Sequence, residues 1–279
     1  MSRIDFTLES ADGTRLYANQ QDTGRKPLAH VLIFHGYGEH LGRYHEVMDW
    51  FVEQNYKPWA IDFRGHGRSA GHRAYTERYD LYLQDAQALV DHVKQEQGDL
   101  PVFLLGHSQG GLIGLRALQE GVGEYKAAIL SAPAMRVALE ANPIKVAAGK
   151  LLSKLLPKLN LPPEIPNDYL CRDPERVAAY GADPLVNHCV NCRWFTEFLE
   201  AQETGFKLAG NVSTPTLVVH PTADQIISPH SVLELYEALG SPDKKLMKLD
   251  GYYHEPLNEP DRREVFDEMF AWLESKRTA

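Results

Sequence analysis

Val102-Phe103-Leu104-Leu105-Gly106-His107-Ser108-Gln109-Gly110-Gly111-Leu112-Ile113-Gly114-Leu115 is the stretch whose reading decides the fold. Four apolar residues lead into a sharp turn at Gly106-His107-Ser108-Gln109-Gly110, and a helical run from Leu112 to Gln119 follows, stopped by Gly121. The bare G-x-S-x-G pattern is weak, because three fixed residues each near 7% usage arise by chance in roughly one chain in ten of this length. Its setting is specific. A serine on a tight turn between an apolar strand and a helix has its hydroxyl lifted to the carboxyl edge of the sheet, where open α/β sheets place their sites. Glycines at both flanks permit that backbone path. Ser108 is therefore the candidate nucleophile.

The alternation of strand and helix extends in both directions. Phe6–Glu9 and Arg15–Asn19 flank Asp12-Gly13, which predicts an antiparallel hairpin. Short apolar runs then recur at Val31–Phe34, Trp59–Ile61, Val102–Leu105, Ala127–Leu130, Thr216–Val219 and Lys245–Leu249, and most read as strands buried on both faces. Between them, Tyr44, Val47, Met48, Phe51 and Val52 keep helical spacing, as does Leu81–Gln95. Ser228-Pro229 starts a helix that Gly240 stops, and a final helix spans about Arg262 to Lys276. The fold class is α/β, with a mostly parallel central sheet and helices on both faces. From about Ala134 to Phe206 no buried strand is evident, and proline-rich turns such as Leu161-Pro162-Pro163 separate helical patterns. That segment is too long for a plain loop. The expected organisation is a core of residues 1–133 and 207–279 with residues 134–206 inserted as a helical unit.

A serine hydroxyl needs a base, and the base needs a carboxylate to orient it. Among twelve histidines, chain order narrows the choice, because the acid and then the histidine should follow the serine on loops after late strands. Thr216–His220 leads into Pro221-Thr222-Ala223-Asp224, and Lys245–Leu249 leads into Asp250-Gly251-Tyr252-Tyr253-His254. Asp224 and His254 are the expected partners. His220 and Asp250 are rivals that sit at strand termini rather than out in the loops. The oxyanion is expected to rest on the backbone N–H groups of Gln109 and of Tyr37 in the loop His35-Gly36-Tyr37-Gly38. His35, His66 and His107 read as bracing residues.

The net charge of −9 argues against general affinity for nucleic acid. The N-terminus lacks the apolar run of a signal peptide, and no stretch approaches the roughly 18 apolar residues of a membrane span, so a cytoplasmic location is expected. Cys171, Cys189 and Cys192 leave an odd thiol over and read as reduced; Cys189-Val190-Asn191-Cys192 has zinc-like spacing but no second pair. Neither a metal nor a cofactor is expected. In the insertion, Ile144, Ala147, Ala148, Leu151, Leu152 and Leu155 share a helical face beside Lys150, Lys154 and Lys158, with Pro157 ending the helix. Such a helix either packs its apolar face on the core or meets a membrane surface, and a mobile element could do both.

Taken together, these residues resemble the monoacylglycerol lipase family of α/β-hydrolases. His35-Gly36-Tyr37-Gly38-Glu39-His40, continued by Gly42-Arg43-Tyr44, is similar to that family's HGxGEH oxyanion loop, and Asp62-Phe63-Arg64-Gly65-His66-Gly67-Arg68-Ser69 to its D-x-x-G-H-G-x-S turn. Gly106–Gly111 matches the GHSxGG elbow, although vertebrate members usually carry methionine at the position of Gln109. Asp183-Pro184-Leu185, Ala223-Asp224 and Tyr253-His254 extend the likeness. The resemblance implies an α/β-hydrolase fold, a helical cap with an acyl-chain tunnel, and hydrolysis of monoacylglycerols or similar single-chain esters. Lysophospholipase, carboxylesterase, thioesterase and aminopeptidase activities share the scaffold. Dehalogenases and epoxide hydrolases of the fold use aspartate at the position of Ser108, and a non-catalytic binding module would be expected to lack a triad member.

Overall fold

A computed structural model describes residues 2–138, 143–162 and 166–278. The chain opens with the hairpin β1 (Arg3–Glu9) and β2 (Arg15–Gln21), paired antiparallel from Arg3 with Gln21 to Glu9 with Arg15. It continues through β3 (Ala29–Phe34), α1 (His45–Glu53), β4 (Tyr56–Ile61), α2 (Asp80–Gln97), β5 (Val102–His107), α3 (Gln109–Glu120) and β6 (Ala127–Ser131). The segment expected as an insertion follows with α4 (Pro143–Leu155), β7 (Asn160–Leu161), α5 (Pro174–Ala182), β8 (Val190–Asn191) and α6 (Cys192–Lys207). The core resumes with β9 (Thr216–Pro221), α7 (Pro229–Ala238), β10 (Lys244–Leu249) and α8 (Arg262–Arg277).

Eight strands form one sheet in the order β1-β2-β4-β3-β5-β6-β9-β10, parallel from β4 to β10. Alternate side chains of the inner strands enter two separate cores. Leu32, Phe34, Leu104, Leu130 and Val218 pack with α2 and α3, while Val31, Ile33, Phe103, Leu105, Ile129 and Val219 pack with α1 and α8. Both faces are covered, which is why these strands read as unbroken apolar runs. The edge strand β10 buries only Met247 and leaves Lys245 and Lys248 outside, charges that blunt an open edge. β4 begins earlier than its apolar run because it pairs with β3 from Tyr56 onward, through Pro58; its antiparallel pairing with β2 starts only at Trp59.

Two helix ends show their causes. Gly121 terminates α3 in the left-handed region at φ 70°, donating its N–H to the Ala117 carbonyl. Ser228 caps α7 ahead of Pro229. Gly240, expected to stop α7, has a different cause: a Cβ there would lie 2.0 Å from the Gly210 carbonyl oxygen. The insertion is helical but not free of strands, since β7 and β8 pair Asn160 with Asn191 and Leu161 with Val190. Within it α4 rests on α6, where Ser153 and Thr196 hydroxyls meet at 2.8 Å. The face that carries Ser153 and the half-buried Leu152 thus turns inward, while Lys150 and Lys154 lie outside and Leu151 and Leu155 are 59% and 68% exposed. The side chain of Ile144, and Pro163, lie outside the described residues. No described helix is long and apolar enough to cross a membrane.

Candidate active site

Ser108 sits between β5 and α3 at φ 51°, ψ −118°, a strained backbone for any residue with a side chain. The neighbourhood over-determines that conformation. Its N–H donates to the Ser131 carbonyl (2.9 Å), and its own carbonyl accepts from Leu112 (3.1 Å) and Ala134 (3.0 Å). The turn closes only because glycines flank it. A Cβ on Gly106 would lie 2.3 Å from the Gly110 carbonyl oxygen, and one on Gly110 would lie 2.0 Å from that of Phe34.

The loops after β9 and β10 bring Asp224 and His254 to this serine. His254 Nε2 lies 2.9 Å from Ser108 Oγ, and His254 Nδ1 lies 2.7 Å from Asp224 Oδ2. The other oxygen of Asp224 accepts from the backbone N–H groups of Ile226 (2.8 Å) and Ile227 (2.9 Å). Asp224 and His254 are both buried. Burial pulls the imidazole pKa down, but the charge and hydrogen bond of Asp224, with the charges of Glu255 and Glu39, outweigh it and hold His254 above the ordinary histidine value. The rivals are not in this constellation. Asp250 is exposed and pairs with Lys248, while His220 is buried with no hydrogen-bond partner on Nδ1.

The loop after β3 presses on the serine from the other side: a Cβ on Gly36 would lie 3.3 Å from Ser108 Cβ. This loop carries Tyr37, and Gln109 opens α3, where first-turn N–H groups have no intrahelical acceptor. His35 braces the loop, its Nδ1–H donating to the Gly36 carbonyl (2.7 Å) and its Nε2 accepting from the Phe63 N–H (3.0 Å). Those two bonds fix its tautomer. His66 lies 3.0 Å from the Arg64 carbonyl through Nδ1, and His107 lies 3.3 Å from Ser131 Oγ. Burial drives the three rings down, to about 3 for His35 and His66 and about 4 for His107. The Asp62 turn is scaffold as well, its carboxylate accepting from the N–H groups of Leu41 (2.7 Å) and Arg68 (2.8 Å).

Sequence reasoning gave no role to a buried charge network behind the loop after β3. Glu39 Oε1 accepts from the Gly36 N–H (2.6 Å) and the Tyr44 hydroxyl (2.6 Å), and its Oε2 accepts from Arg43. Arg43 also forks onto both oxygens of Glu255 (2.8 and 2.7 Å), the residue after His254. Burial would raise the Glu39 carboxyl, but Arg43, His107 and its donors hold it below the ordinary value. The only signal was two charged residues inside a glycine-rich loop motif; the second carboxylate on Arg43, Glu255, lies 212 residues away. Cys171, Cys189 and Cys192 are free thiols, and no cluster of metal-ligating side chains occurs among the described residues.

Residues 25–261 match the family described as "Serine aminopeptidase, S33". The chain is 34% identical to the monoacylglycerol lipase of Mycolicibacterium smegmatis over 98% of each protein. It is 32% identical to human monoglyceride lipase over 98% of this chain and 90% of that one. Among solved structures, the monoacylglycerol lipase of Paleococcus ferrophilus superposes with a TM-score of 0.83 at 30% identity, covering 94% of this chain and 99% of that one. The serine elbow, the parallel sheet that carries it and these full-length likenesses agree: the chain belongs to the monoacylglycerol lipase family of α/β-hydrolases and is a carboxylic ester hydrolase.

Proposed function

We propose that the protein hydrolyses monoacylglycerols to glycerol and a free fatty acid through an acyl-enzyme on Ser108. The observation that carries this reading is the unbroken relay from Ser108 Oγ through His254 to Asp224 Oδ2, with links of 2.9 and 2.7 Å. His254 Nε2 takes the serine proton as Oγ attacks the ester carbonyl, and Asp224 orients the ring and stabilises the imidazolium that forms. The tetrahedral oxyanion rests on the N–H groups of Tyr37 and Gln109, the latter aided by the positive end of the α3 dipole. Collapse of the intermediate breaks the ester C–O bond, and His254 returns the proton to the leaving glycerol oxygen. Water, deprotonated by the same ring, then attacks the acyl-enzyme and releases the acid. No metal or cofactor enters this sequence.

Substrate class rests on the relatives named above, whose whole lengths this chain nearly spans. Residues 134–206 act in this reading as a cap over a core formed by residues 1–133 and 207–279. A fluorophosphonate probe should label the wild type, and labelling of Ser108→Ala at the same stoichiometry would overturn the nucleophile assignment. A panel of monoacylglycerols of graded chain length, lysophospholipids, acyl thioesters and aminoacyl amides tests the substrate. Preference for any class other than monoacylglycerols would replace this reading with lysophospholipase, thioesterase or aminopeptidase activity.

The cap also supports peripheral contact with lipid surfaces by a cytoplasmic enzyme. Leu151, Leu155, Leu156 and Leu161 are exposed beside Lys150, Lys154 and Lys158, an apolar surface with a basic flank. Liposome flotation should be reduced in the Leu151→Asp, Leu155→Asp double variant. Equal binding by that variant and the wild type would remove the membrane role.

A further inference from the structure

Both residues proposed to donate to the oxyanion have their side chains held by the same turn of the insertion. Trp194, in the first turn of α6, stacks on the Tyr37 ring with centroids 3.6 Å apart and planes 24° from parallel. The same indole donates its Nε1–H to Gln109 Oε1 at 2.8 Å. The indole N–H is donor only, so this bond also fixes which way the Gln109 amide points. The far end of Tyr37 is tied to the residues just before α6: its hydroxyl donates to the Cys189 carbonyl (3.1 Å) and lies 3.4 Å from the Asn191 N–H.

The turn that makes these contacts is itself rigid. Asn191 is the N-cap of α6, and its side-chain oxygen accepts from the N–H groups of Arg193 (2.9 Å) and Trp194 (3.1 Å). Behind Trp194 the Phe198 ring stacks at 4.7 Å, so the indole is pressed between two aromatic rings. Trp194 and Gln109 are both buried, 5% and 1% exposed. A hydrogen bond shielded from water in this way is sensitive to loss of either partner, because the remaining polar group is left buried without it.

We infer that Trp194 is a positioning residue for ester hydrolysis, a clasp by which the first turn of α6 sets the backbone of Tyr37 and Gln109 and so assembles the oxyanion hole when the insertion is seated. This rests on the function proposed above. It adds that the insertion does more than cover the site: its docking completes the catalytic geometry. The position of Gln109 has no need of a polar side chain for the chemistry, since its N–H donates from the main chain. The polar side chain is explained by its partner, because only an acceptor at this position can hold the indole N–H.

The test compares Trp194→Phe, Gln109→Met and the double variant with wild type on p-nitrophenyl butyrate, well below each protein's Tm. Affinities for a trifluoromethyl ketone, which forms a tetrahedral adduct, and for butyrate, which does not, are measured alongside. Phenylalanine keeps a ring for Tyr37 but removes the N–H. Loss of a full oxyanion donor costs roughly 10²–10³-fold in kcat, and a displaced donor should cost part of that, about tenfold. The clasp predicts that fall in kcat with KM within twofold, a matching loss of ketone affinity, and unchanged butyrate affinity. The double variant should lose no more than the worse single variant, the signature of one shared contact. Wild-type kcat in Trp194→Phe, additive losses in the double variant, or equal losses of ketone and butyrate affinity would each overturn the clasp. Ser108→Ala separates the two levels. If it abolishes fluorophosphonate labelling while Trp194→Phe keeps wild-type kcat, the clasp fails and the triad stands; if it is still labelled, both fall.

Discussion

Replacing Asp224 by asparagine should lower kcat by about four orders of magnitude with little loss of stability, and the reason lies in two backbone N–H groups. Asp224 Oδ1 accepts from Ile226 and Ile227 at 2.8 and 2.9 Å, while Oδ2 faces His254 Nδ1 at 2.7 Å. An asparagine can satisfy the two backbone donors only with its carbonyl oxygen. Turning the amide the other way would set its NH₂ against both, leaving the buried Ile227 donor without an acceptor at a cost of roughly 1–3 kcal/mol and the half-buried Ile226 donor unpaired as well. The amide NH₂ is therefore forced toward His254 and donates to Nδ1, which must become an acceptor. The ring proton then moves to Nε2, where it points at Ser108 Oγ, and the ring can no longer accept the serine proton. Loss of the correct tautomer in a serine triad lowers kcat by about 10⁴, equivalent to about 5.4 kcal/mol at 1.36 kcal/mol per decade. The assay is steady-state hydrolysis of p-nitrophenyl butyrate between pH 6 and 9, with Tm measured in parallel. Asp224→Ala is the control, expected to lose activity and also Tm, since it strips the acceptor from both N–H groups. Activity of Asp224→Asn above about 1% of wild type, with Tm unchanged, would refute this account of how the ring is held.

The pH profile should carry the raised pKa of His254: the reaction needs the neutral ring, so kcat/KM should fall as pH drops through a value above 6.5, and an acid limb below 6.5 would contradict the Asp224 coupling. Stability should move separately. His35, His66 and His107 titrate at about 3, 3 and 4 when folded, so below pH 6.5 the unfolded chain binds more protons, and each group costs about 1.4 kcal/mol per pH unit down to its folded pKa. His254 acts in the opposite sense, its contribution being present below 6.5 and lost as pH rises through its folded pKa, but it is one ring against these three and against His30, His45 and His220, which burial also lowers. Differential scanning calorimetry should find Tm falling between pH 7 and 5.5, and a flat Tm would count against buried neutral rings. Gly110→Ala should yield no folded protein, because its Cβ would lie 2.0 Å from a backbone oxygen, whereas Gly121→Ala, at φ 70° in open space, should cost only about 1 kcal/mol; equal Tm values would sink the distinction. Glu39→Gln leaves Arg43 one buried carboxylate short and should destabilise by about 3 kcal/mol, read from urea unfolding.

What the sequence revealed and what it hid divide along a physical line. Inner strands announce themselves because both faces are buried, so Val31–Phe34 and Val102–Leu105 are uninterrupted apolar runs. Ser108 was legible because close packing at Gly106 and Gly110 leaves a local trace. Asp224 and His254 were legible through chain order and matching strand ends. The strand β4 was cut short because Pro58 argues locally against a strand, and only its place beside β3 overrides that. β7 and β8 were missed because two residues form no period. On α4, spacing grouped the leucines but left open whether their face packs on the core or meets a membrane surface; the contact that seats the helix runs through Ser153, which looks polar in sequence. Contacts such as Trp194 with Gln109 join residues 85 apart and leave no pattern along the chain.

Why His254, rather than a neighbouring ring, is proposed as the base follows from the charges around it. His107 lies only 5.1 Å away between ring centroids, and it is equally buried, yet it is held neutral. The difference is that His254 alone of the two hydrogen-bonds to a carboxylate, Asp224. Glu39 and Glu255 add to the same field, and Arg43 is the one cation bonded to both of them. Three carboxylates against one guanidinium leave two formal negative charges near a ring that, in the proposed mechanism, becomes positive in the transition state. A single nearby carboxylate would orient the imidazolium. The additional pair, pinned by Arg43 to the oxyanion loop through Glu39 and to the histidine loop through Glu255, also ties the donor side of the site to the base side. The two halves that act on one carbonyl in the proposed mechanism are thus joined by a buried ion network as well as by the sheet beneath them.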